Sequence, residues 1–377
     1  MKVEKLVGNW NYPTKIRFGA GRIDELPDAC AEIGITRPLL VTDPDLAGMN
    51  MIEQSLENCR RSGIDCGIFS DIKPNPTGDS IERGVKIFRE AKHDGVIAFG
   101  GGSSMDAGKA IAFMSGQKLP LWEFEDLGDN WRKANPGGIA PTVAVPTTSG
   151  TGSEVGRAAV LTDSELLAKR IIFHPRMLPS MVIADPALTV GLPPRLTAAT
   201  GMDALAHNLE AFCAPTYHPM AEGIALEGIR LVKNWLPQAC REGSDMVARS
   251  QMMAASTMGA TSFQRGLGAM HALAHPIGAI YDAHHGLVNA VLMPYVLEAN
   301  RVAIDSLMER LGRYLDLTEA CFDGMLKWVL ELREEIGIPH ALSELGIDEN
   351  EIGNIVRMAI EDPSSNTNPI QFRVEDY

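Results

Sequence analysis

A chain of 377 residues exceeds one ordinary core and, at roughly 100–200 residues per domain, is expected to form two. Apolar residues at 45% and charged residues at 22% supply ample material for buried cores, so disorder is not the default. The 48 acidic side chains outnumber the 34 basic ones, for a formal charge of −14; this argues against a nucleic-acid or anionic-membrane partner and for a small-molecule substrate.

The N-terminus, Met1-Lys2-Val3-Glu4-Lys5, leads into polar and turn residues with no signal-like apolar core. No stretch is expected to reach the roughly 18 apolar residues of a membrane span, and a cytoplasmic location follows. The six cysteines, Cys30, Cys59, Cys66, Cys213, Cys240 and Cys321, form no CxxC pair and read as free thiols of a reducing compartment.

From there, short β-rich runs alternate with helical patterns, the rhythm of a parallel sheet covered by helices. Leu39 to Asp43, Val96 to Phe99, Thr142 to Val145 and Met181 to Asp185 each read as a buried strand running into turn or helix-start chemistry. Asp43 ends the first of these, where a carboxylate can accept from an adenosine ribose and repel a 2′-phosphate, favouring NAD over NADP. A plain turn-forming Asp is the competing reading.

After the second strand comes Gly100-Gly101-Gly102-Ser103-Ser104-Met105-Asp106-Ala107-Gly108-Lys109. Glycines there let the backbone approach a phosphate, while Ser103 and the free N–H groups of a helix start supply donors and the positive end of the dipole. The plainer alternative is an ordinary strand-to-helix turn. A second hydroxyl- and glycine-rich loop, Pro146 to Glu154, follows the third strand and carries Thr147, Thr148, Ser149 and Thr151. Two such loops at successive strand ends imply one shared dinucleotide site. Lys169, in a strand-like run, can reach ribose hydroxyls, though a surface lysine is the blander expectation.

Beyond Leu192-Pro193-Pro194 strand-like runs become scarce, and helical periodicity takes over at Leu196–Phe212, Met220–Trp235, Met246–Thr261 and Met325–Ile336. The expected division is an α/β dinucleotide-binding domain over 1–190 and an all-α domain over 191–377. Six of the nine histidines, His207, His218, His271, His275, His284 and His285, fall between residues 207 and 285. Asp203 and His207 lie four apart, as do His271 and His275, so each pair shares a helix face with Cβ atoms about 5–6 Å apart. His285 follows ten residues after His275. A lone histidine on an apolar face is usually a core residue; two such pairs with a further imidazole are a ligand set for Fe(II), Zn or a related divalent ion. Such an ion would acidify an alcohol, which could then give up hydride to a nicotinamide.

These motifs, together with Ala184-Asp185-Pro186-Ala187-Leu188-Thr189, resemble the iron-containing (group III) alcohol dehydrogenases over essentially the whole chain. The resemblance implies a dehydroquinate synthase-like architecture, with an α/β N-terminal dinucleotide-binding domain, an all-α C-terminal domain and a metal in the cleft between them. It implies Asp203, His207, His271 and His285 as metal ligands, so that His275 is left for proton transfer. It also places Asp43, Asn75, Gly101, Gly102, Ser103, Thr147, Thr148 and Lys169 at positions similar to the family's NAD contacts. Asp106, Ser149, Thr151 and Leu188, which lie within the same motifs, complete the expected cofactor set.

Two positions depart from the family pattern. His284 stands where Pro is common, beside the chosen ligand His285, and the segment Ser262 to Gly268 is one residue shorter than in diol-type members, so their substrate contacts there do not transfer. The expected activity is NAD-linked, metal-dependent interconversion of a primary alcohol and its aldehyde, by a homo-oligomer with no nucleic-acid or membrane partner. One alternative is a hydroxy-acid dehydrogenase of the 4-hydroxybutyrate type with Arg265 as carboxylate anchor. A second is a dehydroquinate synthase-like lyase, which the absence of Lys and Arg between His271 and Gly286 disfavours. The third is a metal-binding protein without catalysis, which would not bind NAD.

Overall fold

The computed structural model describes residue 12, residues 14–166 and residues 168–377. The N-terminal segment on which the absence of a signal sequence was read lies outside the described residues.

Pro13–Thr148 and Gly152–Val190 form one compact unit. Its strands are β1 (Lys15–Phe18), β2 (Pro38–Val41), β3 (Gly67–Phe69), β4 (Gly95–Gly100), β5 (Thr142–Pro146), β6 (Ala158–Asp163), β7 (Ala168–Phe173) and β8 (Met181–Ala184). The helices are α1 (Leu26–Glu32), α2 (Pro44–Ala47), α3 (Asn50–Arg61), α4 (Gly78–Glu90) and α5 (Gly102–Met114). Six strands pair in the order β1-β8-β5-β4-β2-β3, every pair parallel. The four strands expected from the sequence are present, and β2, β4, β5 and β8 are buried along their whole length, which is why they read as continuous apolar runs. The flanking strands β1 and β3 are only partly buried and lack that signal. Strands β6 and β7 form a separate antiparallel hairpin.

The sheet order fixes where a ligand belongs. From β2 the chain moves outward to β3, whereas from β4 it moves the opposite way to β5, although β2 and β4 are neighbours. The carboxyl ends of β2 and β4 therefore flank a topological switch point, where the connections leave a crevice.

The second unit comprises the helices α6 (Pro194–Cys213), α7 (Pro219–Arg241), α8 (Met246–Ser262), α9 (Ala269–Tyr281), α10 (His285–Tyr314), α11 (Phe322–Glu335) and α12 (Ile352–Glu361). Ser149–Thr151 packs with it. One expectation needs correction here: α10 contains an 18-residue window with mean hydropathy 1.2, long and apolar enough to cross a membrane. Two-thirds of that window is buried, and Val288, Val291, Met293, Ile304 and Met308 belong to the helical core. The apolar run thus has a packing explanation.

Small residues let α6 lie at the centre of this unit. A Cβ at Gly228 of α7 would stand 2.1 Å from Asn208 Oδ1, and one at Gly259 of α8 would stand 3.0 Å from His207 Cβ. Any side chain at either position would push its helix away.

Candidate active site

In the α/β unit, several of the expected cofactor residues lie near the switch point. Gly101 caps α5 with no side-chain bond to the first turn, leaving backbone N–H groups for an anion. Gly100 has φ +145, and a Cβ there would stand 2.6 Å from Ser104 Oγ; the tight turn from β4 into α5 requires glycine. Asp43, at the end of β2, caps α2 through a 2.9 Å bond from the Leu46 amide and accepts from Ser104 Oγ at 3.3 Å. Asp43 is thus a turn former whose carboxylate lies beside the start of α5.

Ser103 donates to the Pro74 carbonyl, and Lys169 Nζ donates to Asn75 Oδ1 at 2.7 Å. The Thr162 amide donates to the Pro76 carbonyl at 2.8 Å. The 74–77 turn is thereby tied both to α5 and to the hairpin, although its residues are separated in sequence by 29 and 94 positions. The Thr147 amide donates to the Gly100 carbonyl at 2.9 Å, and Gly101 and Thr148 are close neighbours.

Asp106, another member of the expected set, is engaged by the protein itself. Asp106 is buried; its carboxylate accepts from Ser153 Oγ at 2.5 Å and the Val160 amide at 2.8 Å, and faces Lys109 Nζ at 3.2 Å. With both oxygens so used, Asp106 braces the loop and hairpin against α5. Leu188 is buried in the core of the α/β unit. Ser149 and Thr151 lie in the segment that packs with the helical unit, where a Cβ on Gly150 would stand 2.9 Å from the Thr200 carbonyl oxygen.

In the helical unit, Asp203 and His207 occupy one face of α6, and His271 lies on α9. All three are buried, and one candidate ligand atom from each lies within 4.8 Å of the others. His285 starts α10, with Nε2 3.7 Å from Asp203 Oδ1. Its neighbour Gly286 explains this approach: a Cβ there would stand 2.3 Å from the Ala199 carbonyl oxygen and 3.1 Å from Asp203 Cβ. The His271 and His285 rings are 5.2 Å apart, and those of His207 and His271 stack at 4.6 Å. His284, the N-cap of α10, is exposed.

Three residues that sequence reasoning passed over organise this cluster. Glu210 accepts from the Met270 amide at 2.8 Å and pairs with His271 Nδ1 at 2.6 Å. With its proton on Nδ1, His271 turns the Nε2 lone pair to the cluster. Asp362 pairs with His275 Nδ1 at 2.7 Å, and Asn289 places its amide nitrogen 3.0 Å from Asp203 Oδ1. Sequence signals existed for two of them: Glu210 lies three residues beyond His207 and Asn289 four beyond His285, spacings that share a helix face.

The electrostatics of the two buried imidazoles run in opposite directions. Burial pulls His207 down to about 4, against the opposing charge of Asp203. For His271 burial acts in the same sense, but the charge and hydrogen bond of Glu210, with Asp203 behind them, outweigh it and raise the pKa. Burial pushes the Asp362 carboxyl up, and the charge and hydrogen bond of His275 more than reverse this. One carboxylate and two imidazoles converging in a buried site, with the His285 imidazole beside the carboxylate, fit a divalent transition metal.

Arg265 requires a correction. Its guanidinium donates to the carbonyls of Ala211 at 3.1 Å, Phe212 at 2.7 Å and Thr216 at 3.0 Å, and pairs with Glu222 at 3.1 Å. It is buried and not a free carboxylate anchor; it holds the C-terminal end of α6, where positive charge is favoured.

Comparison with known proteins agrees with this construction. Over 377 aligned residues the chain is 37% identical to the 4-hydroxybutyrate dehydrogenase of Cupriavidus necator, covering 97% of each chain. A crystal structure of 1,3-propanediol oxidoreductase matches with a TM-score of 0.91 and 34% identity, covering 98% of this chain and 97% of that one. The sulfoacetaldehyde reductase of Bifidobacterium kashiwanohense, solved in complex with NAD+, matches with a TM-score of 0.88 and 29% identity over 98% and 97% of the two chains. Residues 13–186 match the family described as iron-containing alcohol dehydrogenase, and residues 197–377 match its C-terminal part, described as Fe-containing alcohol dehydrogenase family, C-terminal. The chain belongs to the iron-containing alcohol dehydrogenase family.

Proposed function

We propose that this oxidoreductase interconverts a primary alcohol and its aldehyde with NAD as the hydride partner. It would do so in the cytoplasm, using a divalent metal, iron by preference and zinc as the substitute, held by Asp203, His207, His271 and His285. The observation that carries the reading is the convergence of a buried carboxylate and two buried imidazoles, with His285 Nε2 3.7 Å from Asp203 Oδ1. A metal bound there supplies Lewis acidity, which lowers the pKa of an alcohol oxygen. His275 takes up or returns a proton at Nε2, because the Asp362 pairing occupies Nδ1. The first turn of α5, Asn75 and Lys169 hold the pyrophosphate and ribose of the dinucleotide, and Asp43 selects NAD by repelling a 2′-phosphate.

A hydroxy-acid substrate is the second reading, favoured by the 4-hydroxybutyrate dehydrogenase relative. Its carboxylate anchor would have to be a residue other than Arg265.

Protein loaded with Fe(II) is expected to reduce NAD with short primary alcohols, and an Asp203→Ala, His271→Ala double variant is expected to lose this activity while still binding NAD. Equal turnover by both proteins contradicts the proposal.

A further inference from the structure

Asn289 is fully buried on α10, one helical turn beyond His285. Its Nδ2 stands 3.0 Å from Asp203 Oδ1, 3.2 Å from His285 Nε2 and 3.4 Å from His271 Nε2. These atoms come from three helices and include one carboxylate oxygen. The carboxylate oxygen has lone pairs enough to accept a hydrogen bond and still face an ion. An amide nitrogen has two N–H donors and no charge, so it can hold Asp203 Oδ1 without importing a counter-ion.

The other end of the amide shows how strongly this orientation is favoured. Asn289 Oδ1 is buried with no hydrogen-bond partner among the described residues. An unpaired buried acceptor costs about 1–3 kcal/mol. Turning the amide over would aim its oxygen at the Asp203 carboxylate, so the nitrogen faces the cluster and the oxygen goes unsatisfied.

We infer that Asn289 is a positioning residue: its amide nitrogen holds the Asp203 carboxylate in place and thereby sets how tightly the site retains a divalent ion. The inference rests on the proposed assignment of Asp203 as a metal ligand. Asn289 acts on the ion through that carboxylate, and loss of such a hydrogen-bonding partner typically weakens metal affinity ten- to hundredfold.

The test is titration of the metal-stripped full-length protein with Co(II), followed by its visible absorption band, with NAD binding as the check on integrity. Asn289→Leu is expected to bind Co(II) about ten- to hundredfold more weakly, with a shifted band and unchanged NAD affinity. Asn289→Ser, which keeps a short donor, is expected to recover part of the loss. Should the leucine variant fail to fold, Asn289→Asp keeps the shape and replaces the donor with an acceptor, and its band is expected to move. A leucine or aspartate variant matching wild type in both affinity and band overturns the inference. Wild type that takes up no Co(II) overturns the metal assignment itself, a separate failure.

Discussion

Glu210 receives both the Met270 amide and the His271 ring, so one carboxylate fixes the first turn of α9 and the tautomer of the imidazole behind it. Replacing it by an amide removes the charge that favours the Nδ1 proton and allows the ring to turn. Glu210→Gln is expected to lower metal affinity about ten- to hundredfold, measured by competition with a chelator; unchanged affinity would assign Glu210 to packing alone. The pairs Asp203/His207 and His271/His275 were legible in the sequence because helical spacing is local. His285 was not, since its approach to Asp203 across 82 positions depends on how α10 packs on α6. The resemblance brought it in, and its Nε2 lies 3.7 Å from Asp203 Oδ1. Arg265 shows the opposite failure, because nothing in its sequence neighbourhood reveals that the carbonyls at the end of α6 consume its donors.

At the scale of elements, the site depends on how closely α10 begins against α6. A Cβ at Gly286 would stand 2.3 Å from the Ala199 carbonyl oxygen, a backbone atom that cannot swing aside. Gly286→Ala is expected to cost about 1–3 kcal/mol of stability through overpacking and to weaken metal binding by moving His285. Thermal unfolding and a metal titration check both effects, and a variant equal to wild type in each would show that the α6–α10 approach is adjustable. Elements were most legible where burial was complete. The all-buried strands β2, β4, β5 and β8 read as apolar runs, and α6, α7, α8 and α11 showed their period, whereas β1 and β3 are too short and too exposed to do so. The apolar run of α10 is uncharged from His285 to Leu297, and from Glu298 onward its charged residues alternate with core positions such as Ile304 and Met308.

At the scale of the molecule, one chain carries two kinds of chemistry. The strand connections reverse direction beside a glycine-rich helix start, and a helical unit collects a carboxylate and imidazoles. The resemblance to the family was legible because both sets of motifs are local in sequence. The bracing role of Asp106 was not, because its partners Ser153 and Val160 lie 47 and 54 residues away. The central claim is that alcohol oxidation needs the ion held by Asp203, His207, His271 and His285. The most direct measurement is NADH formation from a primary alcohol as metal-stripped protein is reloaded stepwise with Fe(II), with bound metal quantified at each step. Activity is predicted to rise in proportion to bound metal in wild type and to stay near zero in His285→Ala. Full activity in the stripped protein, or an undiminished slope in the variant, would contradict it.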